Sequence, residues 1–136
     1  MPVETINYKG GKVKFIDQTL LPHKLKYVHT DDIHRLWRAI KKLEIRGAPA
    51  IGIAGALGVV IGVKGSKAKV FDRFFKELQN SSKYLGSSRP TAVNLFWALR
   101  RMERVACDNR LKSVAVIKNI LVKEALKIID EDMKSC

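Results

Sequence analysis

From Gly47 to Val63, between Arg46 and Lys64, the chain carries no charged side chain. A run this apolar has two homes: a lipid bilayer, or the centre of a globular core where a helix meets neighbours on every side. Gly58 and Gly62 even make the Gly-x-x-x-Gly spacing of packed transmembrane helices. The run nevertheless sits at the short end of the roughly 17–25 residues that a span needs, and five glycines and Pro49 dilute it. The reading is a buried helix from Pro49 to about Val63, with no membrane partner. Gly52, Gly55, Gly58 and Gly62 fall three or four residues apart and strip bulk from one face. Each glycine costs about 1 kcal/mol against alanine in a helix, so the neighbours must hold this one. A chain of 136 residues can supply them, because a domain of this size buries roughly two-thirds of the surface its unfolded form exposes.

The flanking sequence says what those neighbours are. Ile6-Asn7-Tyr8 leads to a Gly10-Gly11 turn and to Lys12–Asp17, which alternates polar and apolar residues with period two. After Leu21-Pro22, Lys24–Val28 alternates again. Helical spacing follows in Ile33, Leu36, Trp37, Ile40 and Leu43, behind the capping side chains of Thr30-Asp31-Asp32. A third helix is predicted over about Ala68–Leu85, with Val70, Phe71, Phe74, Phe75 and Leu78 inward. A fourth starts near Pro90 and carries Val93, Phe96, Trp97, Ala98, Leu99, Met102 and Val105 as its apolar residues. The fifth, about Ser113–Met133, repeats Val114, Ile117, Leu121, Ala125 and Ile128. The expected fold is α+β: a small antiparallel sheet of about three strands in residues 5–29, then a bundle of about five helices in residues 31–136. The whole of 1–136 reads as one domain. The fifth helix is still amphipathic at Asp130–Cys136 and has no glycine or proline stop, as in a cut through a longer protein or a frayed tail.

With 26 Lys and Arg against 13 Asp and Glu, the formal net charge is +13. Arg100, Arg101 and Arg104 are placed opposite the apolar face of the fourth helix, and Lys64, Lys67 and Lys69 in a loop. No RNP, KH or zinc-finger pattern accompanies them, and Phe96 and Trp97 fall among core positions. A solvated basic face, or one that meets an acidic partner domain, is expected rather than a nucleic-acid site. Cys107 and Cys136 make no disulfide framework and no zinc spacing, and His23, His29 and His34 lie outside any H-E-x-x-H pattern. No metal is expected, nor a secretory signal in Met1–Thr5, and the compartment is taken as cytoplasmic. His34 is placed on the solvated side of the first helix. Cys107, beside Asp108, has no identifiable base to make it a nucleophile.

Two segments carry candidate chemistry. In Arg46-Gly47-Ala48-Pro49, a proline opens a helix whose free N–H groups and dipole favour an anion; Arg46 adds a full charge and Gly47 permits close approach. Ser87-Ser88-Arg89-Pro90-Thr91 repeats that arrangement: hydroxyls, an arginine, then a proline at a helix start. Two such termini converging would clamp a phosphate, with bidentate guanidinium bonds. Two ordinary helix starts with solvated arginines are the plain alternative. Asn94, one turn into the fourth helix, is placed to face the same pocket or solvent.

Ile45–Gly52 (Ile-Arg-Gly-Ala-Pro-Ala-Ile-Gly) and Ser88–Leu95 (Ser-Arg-Pro-Thr-Ala-Val-Asn-Leu) resemble the two signature segments of methylthioribose-1-phosphate isomerases. Ile16-Asp17-Gln18, Leu20-Leu21-Pro22 and Glu131-Asp132 are similar to that family as well, so the likeness runs along essentially the whole chain. Ribose-1,5-bisphosphate isomerases and the regulatory subunits of translation initiation factor 2B are related to it. The resemblance implies a cofactor-free aldose–ketose isomerisation in methionine salvage, from 5-methylthioribose 1-phosphate to 5-methylthioribulose 1-phosphate. By matched position, Arg46, Gly47, Ala48 and Arg89 would contact this sugar-phosphate substrate.

The family's catalytic cysteine and aspartate lie in a following Rossmann-like domain, around H-C-N and D-N-M, and neither segment occurs here. What is expected is therefore the N-terminal, substrate-gripping domain, inactive alone, with no catalytic residue of its own. The missing domain or a separate chain would be its partner, and a homodimer is expected of the full-length protein. The alternatives are the bisphosphate branch, a non-enzymatic regulatory or scaffold module like the initiation-factor subunits, and a basic nucleic-acid binder.

Overall fold

The computed structural model describes residues 5–135; Met1–Glu4, and with them the reading of a missing signal, lie outside the described residues, as does Cys136. Three antiparallel strands come first, in the order β1 (Ile6–Lys9), β2 (Lys12–Ile16), β3 (Tyr27–Thr30). Tyr8 pairs with Val13 and Lys9 with Lys12, so Gly10 and Gly11 make a two-residue turn with φ of +60° and +78°. Ile6, Val13 and Phe15 are buried against the helices. β3 begins at Tyr27 rather than Lys24. Tyr27 is the partner of Ile16, where β2 ends, and the chain between them is taken up by a short helical turn at Gln18–Leu20 capped by Asp17.

Five helices follow: α1 (Ile33–Lys41), α2 (Ala48–Lys64), α3 (Phe71–Gly86), α4 (Val93–Asp108) and α5 (Val114–Ser135). Asp32 caps α1 by accepting from the His34 backbone N–H at 2.8 Å. The uncharged run is α2, the central rod, buried throughout Ala50–Ile61 and packed against the other four helices and the sheet. Its missing side chains are spaces that neighbours fill: a Cβ on Gly55 would lie 2.7 Å from Leu95 Cδ1, and one on Gly62 would lie 2.6 Å from Ser81 Oγ. No helix among the described residues is long and apolar enough to cross a membrane. The contacts fix direction. Gly52 meets Asn94 and Gly55 meets Leu95, so α2 and α4 start at the same end; Gly58 meets Leu85 and Gly62 meets Ser81, so α3 runs back. α5 also runs back, with Lys118 at the carbonyl of Lys64.

Several expectations are corrected. Pro90 opens no helix: its fixed φ serves the second position of a turn closed by Ala92 N–H to Arg89 C=O at 3.0 Å, and α4 starts at Val93. The buried face of α4 is Leu95, Ala98, Leu99, Met102 and Ala106, which leaves Val93 78% and Trp97 52% exposed. Val70 stands before α3 and is 62% exposed, since that helix starts at Phe71 rather than Ala68. α1 ends at Lys41, and Leu43 beyond it is exposed. Arg101 does not belong to a solvated basic face. Its side chain is 11% exposed, with Nε donating to Glu124 Oε2 at 2.6 Å and Nη1 and Nη2 to the two Glu131 oxygens at 2.8 Å, which ties α4 to α5. Lys64 closes α2 rather than lying in a loop. His34 is exposed, beside Asp32.

Candidate functional site

α2 and α4 bring their N-termini together, and neither has a side-chain cap. Gly47 precedes α2 at φ +94°, a conformation open mainly to glycine, and Pro49 in the first turn has no N–H. The amides of Ala48 and Ala50 are then the donors that this turn offers. At α4 the amides of Leu95 and Phe96 donate to Ala92 C=O, which leaves Val93 and Asn94 as the first-turn donors. Between the two termini lies a cavity of about 330 Å³ lined by Gly47, Ala48, Ile51, Arg89, Ala92, Val93 and Asn94. Four of the five expected binding residues thus line one cavity; Asn94 is in the first turn of α4 rather than one turn in. Arg46, exposed, adjoins this lining rather than forming part of it.

The loop carrying Arg46 is pinned from behind. Glu44 C=O accepts from Gln18 N–H at 2.9 Å, and Ile45 N–H donates to Ala39 C=O at 3.1 Å. Gln18 Nε2 lies 3.5 Å from the Arg46 carbonyl. Glu44 Oε1 accepts from Arg35 Nη2 at 2.6 Å, and the Arg35 guanidinium lies 5.5 Å from the Phe15 ring centre. Nothing in the spacing of the sequence announces this Arg35–Glu44 pair. The hydroxyls of Ser87 and Ser88, expected to join an anion site, instead donate at 2.6 Å to the carbonyls of Tyr84 and Leu85 and finish α3.

A second cavity of about 350 Å³ shares Asn94 and is walled by Pro49, Gly52, Ile53, Trp97, Ile128, Glu131 and Asp132. The hydrogen bonds from Arg101 hold the Glu131 carboxyl below the usual carboxylate range, so it is ionised at neutral pH and is no proton donor there. The Arg101 guanidinium also lies 5.3 Å from the Trp97 ring centre. Trp97, expected among core positions, is thus a half-exposed wall of this cavity.

Chemically, the cavity between the helix starts can hold a small anion: it offers backbone donors, one guanidinium and one carboxamide. Among the described residues its lining contains no carboxylate, imidazole or thiol. Cys107 is in the last turn of α4, roughly 20 Å along the helix from Asn94 at 1.5 Å per residue. No group of three or more His, Cys, Asp and Glu able to hold a metal ion occurs among the described residues.

The pattern of the initiation factor 2 subunit (IF-2B) family matches residues 44–136, which include both helix starts and the cavity between them. The chain belongs to this family. Along 99% of its length it is 49% identical to the 5-deoxyribose 1-phosphate isomerase of Moorella thermoacetica, covering 38% of that protein. It is 43% identical to the methylthioribose-1-phosphate isomerase of Geobacter sulfurreducens, matching all of this chain and 39% of the relative. In solved structures, 96% of the chain superposes on 36% of 5-methylthioribose 1-phosphate isomerase from Pyrococcus horikoshii, with a TM-score of 0.89 and 38% identity. The delta subunit of translation initiation factor eIF-2B from A. fulgidus superposes with a TM-score of 0.88 and 36% identity over 97% of this chain and 38% of that one. This IF-2B-family chain therefore spans little more than a third of the relatives it matches, and it has the fold of their N-terminal part.

Proposed function

We propose that the chain is the substrate-gripping part of a sugar-phosphate isomerase, holding the phosphate of a 5-modified ribose 1-phosphate between the starts of α2 and α4. One observation carries this reading: two uncapped helix N-termini and Arg89 open on a single cavity. Backbone donors and a guanidinium suit a phosphate dianion, and Arg46 at the rim adds a second charge. The named activities of the two relatives share a ribose 1-phosphate altered at C5, which supports the substrate class. Within it we assign 5-methylthioribose 1-phosphate, converted without a cofactor to 5-methylthioribulose 1-phosphate in cytoplasmic methionine salvage.

The chain's own share is binding and orientation. Among the described residues the cavity lining has no side chain able to carry a proton between C2 and C1, which supports assigning that step to residues of a longer protein or of a partner chain. Calorimetric titration of the chain with 5-methylthioribose 1-phosphate and with inorganic phosphate tests the grip. Arg46→Ala and Arg89→Ala should each weaken binding by about 1.5–3 kcal/mol, the loss of a charge-assisted bond. Unchanged affinity in both refutes the site, and brisk turnover by the chain alone refutes the division of labour.

The close superposition on an initiation-factor subunit favours a second reading, a non-enzymatic regulatory module. Stable association with a partner lacking a catalytic cysteine, together with no affinity for sugar phosphate, would select it.

A further inference from the structure

The end of the bundle opposite the candidate site carries a surface of a different kind. α2 is 17 residues long, so at 1.5 Å per residue its C-terminus stands about 25 Å from the cavity at its start. Around that C-terminus two cavities of about 570 and 400 Å³ share Lys67 and Ala68 as a common wall. Lys69 and Lys118 line one, Arg73 and Lys76 the other. Among the described residues Glu77 is the one carboxylate in either lining, and it accepts from Ser66 Oγ at 2.9 Å; Asp72 stands nearby at the start of α3. None of these five cations enters an ion pair among the described residues. The ground beneath them is ordered: Lys118 Nζ donates to the carbonyls of Lys64 at 3.1 Å and Ser66 at 2.7 Å, locking α5 to the loop after α2.

Aliphatic side chains break the surface at the same end. Val70 adjoins Lys69, Leu111 stands 94% exposed between Arg110 and Lys112, and Val116 is 43% exposed next to the cavity residue Ala115. Single exposed aliphatics are ordinary, but three set among unpaired cations at one end of a small domain form a surface of mixed character.

We propose that this surface docks an acidic protein segment that carries apolar side chains at intervals, its carboxylates on the lysines and its apolar groups on Val70, Leu111 and Val116. Charge complementarity selects an anionic partner. The exposed apolar groups are aliphatic, so they offer no stacking platform to single-stranded nucleic acid, and contacts to a phosphate backbone would leave them unused. A second copy would bring another +13 to the same place. The distance from the helix starts leaves the surface accessible while the phosphate cavity is filled.

Fluorescence anisotropy with labelled probes tests this at one fixed ionic strength. The probes are an acidic peptide with leucines interspersed, a polyglutamate of equal charge, and a single-stranded and a duplex oligonucleotide. The mixed peptide should bind at least about tenfold tighter than polyglutamate. Lys67→Glu with Lys69→Glu should weaken it by about tenfold or more, and Val70→Ser with Leu111→Ser should reduce it to the polyglutamate value. All four positions are exposed, and thermal melts will show whether each variant is folded. Equal binding of the peptide and polyglutamate would overturn the proposal, as would tighter binding of either oligonucleotide or insensitivity to both pairs of substitutions. The comparison of probes needs no variant, so a variant that misfolds leaves the proposal open to refutation.

Discussion

Arg35 and Glu44 are the two residues on which the geometry of the loop carrying Arg46 turns. Their side chains are 22% and 14% exposed, and Arg35 Nη1 is buried with no partner of its own. Removing Glu44 would leave a largely desolvated guanidinium with neither of its ends satisfied, which costs more than the pair itself contributes. Glu44→Ala is therefore expected to lower stability by about 1–3 kcal/mol in urea unfolding. It should also weaken phosphate binding, because the Glu44 backbone bond to Gln18 and the approach to Gly47 lose their brace. Glu44→Gln keeps an acceptor and should restore part of both. A Glu44→Ala protein with unchanged phosphate affinity would show that the brace serves the fold alone. At this scale the sequence was informative about where Gly47, Ala48, Arg89 and Asn94 lie, because short-range backbone chemistry sets the helix starts that bring them to one cavity. It was silent on Arg35 with Glu44, whose meeting depends on how α1 packs over Phe15.

Among the elements, α2 was the most legible, since an uncharged, glycine-spaced run too short and too diluted for a comfortable membrane span suits the centre of a core. α4 was the least. Its proline invited a helix start, but Arg89–Ala92 needed that proline for a turn, and the apolar residues beyond it run too far round the helix for all to face inward: Leu95, Leu99 and Met102 take the core, and Val93 and Trp97 face outward. Arg101 shows the same limit. A cation on the assumed polar face became the tie to α5 because two glutamates stand opposite it, a fact of tertiary packing. The α2–α4 seam also yields a prediction. A Cβ on Gly52 would come 3.2 Å from the backbone carbonyl oxygen of Asn94, which cannot rotate aside as a side chain can. Gly52→Val should force the two helix starts apart and cost about 1–3 kcal/mol of stability, the usual toll of overpacking. Phosphate affinity should fall with it, since Asn94 is a wall of the cavity. Gly65→Ala, where a Cβ meets open space, serves as the control and should leave phosphate affinity unchanged.

For the molecule as a whole, charge sets the response to acid. An excess of +13 means that the few carboxylates present are valuable as counter-charges, and two are held below the usual carboxylate range. Asp32 is held down first by the His34 backbone N–H at the start of α1, and Glu131 first by the Arg101 guanidinium between α4 and α5. A folded-state value below the unfolded one means that the folded chain binds fewer protons over that interval. Stability is then fully present above the unfolded carboxylate range and drains away as the pH falls through the depressed values. Protonation also removes negative charge from a molecule already strongly positive, so self-repulsion grows in the same direction. The thermal midpoint should therefore hold near neutral pH and drop steeply below the ordinary carboxylate range. Asp32→Asn and Glu131→Gln should each begin from a lower midpoint at neutral pH and lose less on acidification. Added salt separates the two causes: it screens the net repulsion and should raise the acid-side midpoint of all three proteins, while leaving the gap between wild type and variants at neutral pH mostly in place, because that gap comes from short hydrogen-bonded contacts. Parallel acid titration curves for wild type and both variants would show that these two carboxylates have no part in the loss and that net charge alone drives it.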